Sequence, residues 1–272
     1  MTLAQALVYG VVQGVTEFLP ISSNAHLRIV AAVAGWEDPG AAFTAVLQLG
    51  TLASVGVYFR TELSRIASAT WRSLRSRTIG DPDAKLGWGI GIGTIPIVVV
   101  GFAMRDVIEG PARDLRVITA GLGLFSFVML AADRLATARR PLAETSVTDS
   151  FAVGSAQVLA LVPGISRSGA TISMGLFRGF DRASAARFSF LLSVPAIALS
   201  GLFELRKVAD PGGPSAAVTA IATIVAFVSG YAAIAWLLRL LAHRSLTVFV
   251  IYRLALSALI LVLLVAGVIS AS

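Results

Sequence analysis

The chain has 272 residues, of which 56% are hydrophobic and only 14% are charged, and its mean hydropathy is +0.83. This composition excludes an ordinary soluble domain and predicts an integral membrane protein. The chain contains no cysteine, which excludes a disulfide framework, a thiolate metal site and a cysteine nucleophile. Its net charge of +7 could suggest nucleic acid, but the basic residues fall between apolar segments, so we expect no nucleic-acid partner.

The first apolar region, residues 3–35, is interrupted near its middle by Pro20. Each half is too short to cross the hydrocarbon core comfortably, and proline ends a helix. Broken backbone at such depth is tolerated only when it is enclosed in protein or lines a wet cavity. We therefore predict a re-entrant helix-turn-helix hairpin, which enters and leaves on the same side. The region lacks the basic start of a secretory signal, because no Lys or Arg precedes Arg28.

Six further segments have the length and the apolar character of transmembrane helices. They are residues 43–59, 86–104, 115–136, 183–205, 216–240 and 246–269. They are continuously apolar and lack the alternation of a barrel wall, which favours helices over strands.

The loops between these segments alternate between the two sides of the membrane. One side receives the basic stretches 60–85, 134–140, 178–187 and 239–244. The other side receives only Arg105, Arg113, Arg116, Arg206 and Lys207. By the positive-inside rule the first side is cytoplasmic, and we expect both ends of the chain to face outward.

The second broken region, residues 151–180, contains Pro163 and predicts a second re-entrant hairpin. It repeats the first, since Gln13, Pro20 and Ile21-Ser22-Ser23 recur as Gln157, Pro163 and Ile165-Ser166-Arg167-Ser168. With three spans after each hairpin, the second copy begins on the opposite side of the membrane. The sequence thus predicts an all-α membrane domain with an inverted-topology repeat, one copy at about 1–138 and the other at about 149–272. Such folds place their site near the midplane.

The broken regions contain three ionisable side chains, Glu17, His26 and Arg167. Burying a charge in a membrane is energetically unfavourable, so each indicates a functional site. Gln13 and Glu17 lie one helical turn apart, so an amide and a carboxylate project from one face. Two oxygen ligands suit a hard divalent cation, Mg²⁺ or Ca²⁺, with its other ligands from water and a substrate phosphate. The alternative is a Gln–Glu pair that bonds another helix.

The run from Pro163 to Thr171 predicts a tight turn followed by a helix start. The guanidinium of Arg167 lies between two residues with hydroxyl groups, Ser166 and Ser168. These groups, with the N–H groups of a helix start, favour a phosphate, and we predict that they bind substrate together with Thr171. The alternative for Arg167 is a salt bridge, for which Glu17 is the nearest unmatched acid.

Ser23 and His26 lie three residues apart and share a face if a helix begins near Ser22. A hydroxyl beside an imidazole is the minimal pair for nucleophilic phosphoryl transfer, with His26 as the base. One hypothesis is that Ser23 attacks a terminal phosphorus while Glu17 binds the metal and Arg167 stabilises the phosphate oxygens. A rival makes His26 the nucleophile. Ser22 either contacts the substrate or caps the helix.

Two motifs resemble those of the bacitracin-resistance family of undecaprenyl-diphosphate phosphatases, and the resemblance covers essentially the whole chain. They are Gln13, Glu17, Phe18-Leu19-Pro20, Ser22-Ser23 and His26, and then Pro163-Gly164-Ile165-Ser166-Arg167-Ser168 and Thr171. Gln13 stands where many relatives have Glu, which leaves one carboxylate fewer for a metal. The resemblance implies hydrolysis of undecaprenyl diphosphate to undecaprenyl phosphate and inorganic phosphate. That reaction recycles the lipid carrier of peptidoglycan synthesis and confers bacitracin resistance.

The resemblance also implies a multi-pass protein of the bacterial cytoplasmic membrane, with an active site that faces the outer side and a polyprenyl diphosphate substrate. A homodimer is one option for its assembly. The alternative function is a flippase of undecaprenyl phosphate, because many secondary transporters share inverted repeats with broken helices. Hydrolysis is favoured because a site that only binds phosphate does not require the set of Glu17, Ser23 and His26.

Overall fold

The protein is represented by a computed structural model that describes residues 1–104, 114–204 and 215–271. This part of the chain contains eleven α-helices and no β-strand, which confirms the predicted all-α class. The helices are α1 (Leu3–Phe18), α2 (Ser23–Ala34), α3 (Gly40–Tyr58), α4 (Arg60–Ser76), α5 (Pro82–Ala103), α6 (Leu115–Leu135), α7 (Val147–Gln157), α8 (Arg167–Phe177), α9 (Arg182–Glu204), α10 (Ala216–Leu241) and α11 (Thr247–Val265). Short 3₁₀ helices span Leu142–Glu144 and Val158–Leu161.

Five of these helices, α5, α6, α9, α10 and α11, are long and apolar enough to cross a membrane. The pair α3 and α4 supplies a sixth candidate span, although it is bent by 83°. These helices coincide with the six segments predicted from the sequence. Of the basic residues assigned to the outer loops, Arg105, Arg113, Arg206 and Lys207 lie outside the described residues.

The basic stretch after α3 is a helix over most of its length, so the prediction of a loop at 60–85 is wrong. The reason is an amphipathic pattern within α4, whose Ile66, Ala69 and Ser73 are buried while Arg60 and Arg72 remain exposed. The buried face packs on α5, and Arg65 forms an ion pair with Asp83.

Both broken regions form helix-turn-helix hairpins, α1 with α2 and α7 with α8. Helix α1 ends at Phe18 because Pro20 cannot continue it. Helix α7 tightens into the 3₁₀ helix Val158–Leu161 before Pro163 ends it. The two breaks therefore lie at the positions that the prolines predicted.

Close packing of α1 on α10 fixes the position of the first hairpin. A Cβ atom added to Gly14 would lie 2.5 Å from the carbonyl oxygen of Ala226, and one added to Gly10 would lie 2.6 Å from that of Ala222. Only glycine lets the two backbones approach so closely. Because Glu17 lies on the same helix, the contact between α1 and α10 also determines the position of the Glu17 carboxylate.

Candidate active site

The turn that follows α1 touches the turn that precedes α8. The Ser168 hydroxyl donates a hydrogen bond of 3.0 Å to the carbonyl oxygen of Leu19. One residue earlier, Arg167 reaches across to Glu17. Two motifs about half a chain apart therefore form one site.

Glu17 lies at the centre of this site and is only 6% exposed. Its Oε1 accepts a hydrogen bond of 2.7 Å from Nη2 of Arg167. Its Oε2 accepts bonds of 2.7 Å from the Ser23 hydroxyl and from Nε2 of Gln13. A buried carboxylate is tolerated when a counter-charge and further donors satisfy its oxygens, and here three donors do so. The Gln13–Glu17 pair forms within α1 instead of bonding another helix.

Arg167 uses only part of its guanidinium in this ion pair. Its Nη1 atom is buried and has no hydrogen-bond partner among the described residues. A buried donor without a partner is unfavourable by about 1–3 kcal/mol. An anionic oxygen beside Nη1 would satisfy it, so the salt bridge with Glu17 and the predicted binding of phosphate are compatible.

A cavity of about 490 Å³ opens beside these groups. Its polar end is lined by Glu17, Ser22, Ser23, Asn24, Ser166 and Arg167. Its apolar walls come mainly from Ile97, Val98 and Phe102 of α5 and from Ile197 and Leu199 of α9. The cavity thus joins a polar pocket to an apolar surface.

Two serines at this polar end have an unusual backbone. Ser22 has φ of 74° and Ser166 has φ of 76°, and each immediately precedes the second helix of its hairpin. A positive φ at a residue other than glycine is unfavourable by about 1–3 kcal/mol and persists only where the surroundings impose it. Ser166 Oγ accepts a bond from the Gly169 N–H, whereas Ser22 makes no capping bond with its side chain. The Ser22 side chain therefore does not cap α2, which was one of its two predicted roles.

His26 points away from this cavity. Its Nδ1 lies 2.8 Å from the carbonyl oxygen of Ser22, and its Nε2 lies 2.7 Å from the hydroxyl of Tyr252. Because a carbonyl oxygen can only accept, Nδ1 carries a proton, and in the neutral imidazole Nε2 therefore accepts from Tyr252. The predicted pairing of Ser23 with His26 is absent from this geometry, since the Ser23 hydroxyl donates to Glu17. Ser23 is the first residue of α2 and lies beside the end of α1, while His26 reaches α11.

Ser168 and Thr171 lie behind the cavity and support the second turn. Thr171 is fully buried, donates to the carbonyl oxygen of Arg167 over 2.8 Å, and lies 2.6 Å from the Ser189 hydroxyl. Ser168 bonds to Leu19. Their predicted contact with substrate stays a prediction, and the observed bonds hold Arg167 in place.

Sequence reasoning missed several residues near the site. Asn24 and Gln48 line the cavity. Arg253 lies in the middle of α11, is fully buried, and contacts both turns. The sequence did contain a signal for Arg253, because an arginine inside an apolar span indicates a functional residue, as it does for Arg167.

The oxygen atoms near Glu17 do not make a ready metal site. Both carboxylate oxygens already accept hydrogen bonds, and a guanidinium lies against one of them. No group of three acidic or histidine side chains suited to a metal occurs among the described residues. Gln13 Oε1 is buried without a partner, but Gln13 does not line the cavity. The residues present therefore do not fit a resident ion.

The fold and the site define an all-helical, multi-pass membrane protein with a cavity between two broken hairpins whose polar end contains Glu17 and Arg167. The chain belongs to the family of the bacitracin resistance protein BacA, whose family model matches residues 6–259.

Its relatives match over nearly their whole length. An undecaprenyl-diphosphatase of a Nocardioides species is 50% identical over 98% of each chain. Undecaprenyl-diphosphatase 2 of Streptomyces avermitilis is 47% identical over 99% of this chain and 97% of its own. The undecaprenyl-diphosphatase of Myxococcus xanthus is 47% identical over 99% of this chain and 92% of its own.

Replacing Glu17 by Gln should destabilise the protein, because Arg167 would lose the only counter-charge that the described residues give it. We expect a loss of about 3–5 kcal/mol in the free energy of unfolding, as for other buried pairs that lose one partner. Removing both charges, in Glu17→Gln with Arg167→Gln, should be less damaging to stability than the sum of the single changes. Thermal unfolding in detergent measures all three variants, and strictly additive effects would contradict the pairing.

Proposed function

We propose that the protein hydrolyses undecaprenyl diphosphate to undecaprenyl phosphate and inorganic phosphate. The full-length relatives that bear the name of this activity support the proposal. The observation that carries it is the position of Arg167 in the cavity wall, with Nη2 on Glu17 and a buried Nη1 to which no described residue is bonded. This arrangement leaves a fixed positive donor for a phosphate next to the Ser23 hydroxyl, which is bonded to the same carboxylate.

The polar end of the cavity suits a diphosphate head group. Arg167 begins α8, where the helix dipole favours negative charge, and a guanidinium can bind two phosphate oxygens. Ser22 and Ser166 add hydroxyls at the same end. Their strained backbone indicates that the fold holds these positions for a purpose other than stability.

The apolar end of the cavity suits a prenyl tail. Phe102 of α5 is 79% exposed and Leu199 of α9 is 53% exposed, although both line the cavity. In a membrane such surfaces face the lipid chains. We infer that the tail enters sideways between α5 and α9 while the head group reaches Arg167.

The hydrogen bond from Ser23 to Glu17 suggests how the reaction begins. Ser23 Oγ attacks the terminal phosphorus, the bond from this phosphorus to the bridging oxygen breaks, and undecaprenyl phosphate leaves. The proton of Ser23 passes to Glu17, which already accepts its hydrogen bond. Binding of the diphosphate to Arg167 weakens the hold of this guanidinium on Glu17 and makes the carboxylate a better base. Water then hydrolyses the phosphoserine and releases inorganic phosphate.

This assignment replaces His26 as the base. His26 would first have to release the Tyr252 hydroxyl and then turn towards Ser23, whose hydroxyl is bonded to Glu17. Since a neutral imidazole with both nitrogens engaged is not poised to accept a proton, we assign His26 to holding α2 against α11.

The proposal is tested with the purified protein in detergent, a polyprenyl diphosphate labelled in its terminal phosphate, and added Mg²⁺ or Ca²⁺. We expect release of inorganic phosphate and a trapped enzyme intermediate that survives acid, as phosphoserine does. Ser23→Ala should abolish the label, whereas His26→Gln should retain it. An acid-labile intermediate would make His26 the nucleophile. Binding without release of phosphate would favour a flippase.

The divalent cation predicted from the sequence is proposed to enter bound to the substrate diphosphate, because the protein offers no complete site of its own. Restoring the carboxylate that many relatives have, by Gln13→Glu, adds a charged ligand beside Glu17. Because Gln13 does not line the cavity, we expect this variant to keep the wild-type dependence on cation concentration, with Gln13→Asn as the matched control. Half-maximal activity of Gln13→Glu at a several-fold lower cation concentration would reveal a cation site in the protein and contradict the proposal.

We further propose that the protein lies in the bacterial cytoplasmic membrane with the cavity open to the outer side. The basic residues of α4 and of the stretches 134–140 and 178–187 support this orientation. The division into inverted copies at about 1–138 and 149–272 is supported by the matching backbone of Ser22 and Ser166.

A further inference from the structure

Arg253 is the largest fully buried side chain of the described residues, and it lies outside the cavity. The described part of the chain places no carboxylate in contact with it. Its hydrogen bonds go to the Ser126 hydroxyl and to five backbone carbonyl groups, those of Pro20, Gly121, Leu122, Gly164 and Ile165. Burial of an unpaired guanidinium is unfavourable, so such a site calls for a function.

The acceptors of Arg253 belong to both hairpins. Its Nη1 lies 3.2 Å from the carbonyl oxygen of Pro20 and 3.3 Å from that of Ile165. A single nitrogen thus joins the turn after α1 to the turn before α8. Its Nη2 adds a bond of 2.9 Å to the Gly164 carbonyl oxygen and ties the second turn to α6 through Gly121 and Leu122.

Three of the five carbonyl groups that Arg253 holds lie one or two residues before the strained serines. Pro20 lies two residues before Ser22, and Gly164 and Ile165 lie just before Ser166. Carbonyl groups at a broken helix have no intrahelical partner, and lipid supplies none. The five N–H groups of a guanidinium satisfy several carbonyl groups in one plane, which a lysine ammonium cannot do.

The packing around the second turn leaves little room for compensation. A Cβ atom added to Gly121 would lie 2.4 Å from the carbonyl oxygen of Pro163, and one added to Gly164 would lie 2.3 Å from that of Ile118. The turn is therefore pressed against α6, and its orientation depends on the groups that hold its carbonyls.

We propose that Arg253 is a positioning residue for phosphoryl transfer. It sets the two turns relative to one another, so that Ser23 and Glu17 from one hairpin and Arg167 from the other face the same cavity. This inference rests on the hydrolysis proposed above. It adds a residue that touches neither the substrate nor the reacting atoms.

The test compares Arg253→Lys and Arg253→Met with the wild type. A displacement of about 1 Å at a reacting centre lowers a rate by about 100-fold, so we expect kcat per folded molecule to fall by about 10- to 100-fold in Arg253→Lys. KM should change by less than about threefold, because the apolar contacts with the tail remain. Arg253→Met should be worse, since it removes every donor.

Arg182→Lys is the matched control. Like Arg253, Arg182 joins separate helices and lies outside the cavity, but its partner is the buried acid Asp133 of α6, at 2.7 Å. We expect its variant to lower the melting temperature without changing kcat per folded molecule. If Arg253→Lys behaves in the same way, the positioning role is overturned.

Hydrogen exchange of the backbone provides a readout that does not need turnover. Arg253→Lys should speed exchange in both turns, at residues 19–23 and 162–167, while Arg182→Lys leaves both unchanged. Unchanged exchange in the turns of Arg253→Lys overturns the inference even if the wild type is active. A wild type that releases no phosphate overturns the proposed function alone, because the exchange result still decides the role of Arg253.

Discussion

Backbone groups at a broken helix must find partners inside a membrane, and this constraint organises the structure. Each hairpin breaks at a proline, and each break leaves carbonyl groups that lipid cannot satisfy. The protein meets the requirement by bringing the two breaks together. Ser168 donates to the carbonyl oxygen of Leu19, and Arg253 donates to carbonyls of both turns. The active-site residues flank these same turns, so satisfying the backbone also assembles the site.

The ion pair between Glu17 and Arg167 connects the structure to its chemistry. In the absence of substrate each charge neutralises the other, which makes both tolerable at depth. In the proposed mechanism, a diphosphate competes with Glu17 for the guanidinium and so changes the environment of the carboxylate. The same contact that stabilises both buried charges would then couple substrate binding to activation of Ser23. The Arg167 guanidinium, which lines the cavity and has no partner for Nη1 among the described residues, is the proposed point of contact.

Much of this arrangement could be predicted from residue types and spacing. The prolines predicted both hairpins, and the cost of burying Glu17 and Arg167 indicated that they had a function. Contacts between distant elements could not be predicted in the same way. The spacing of Ser23 and His26 suggested a shared face, but the spacing does not show that Glu17 lies beside Ser23 or that Tyr252 reaches His26. The role of Arg253 could not be predicted because Arg253 lies outside both motifs. Its hydrogen-bond acceptors are mainly backbone carbonyl groups, which every residue has and which no sequence pattern identifies.

An experimental structure with a non-hydrolysable methylene analogue of the lipid diphosphate would test the central claim most directly. The account predicts a phosphate oxygen within hydrogen-bond distance of Arg167 Nη1, with the terminal phosphorus close to Ser23 Oγ and the tail between α5 and α9. A head group bound elsewhere, with the Glu17–Arg167 pair and its surroundings unchanged, would contradict it.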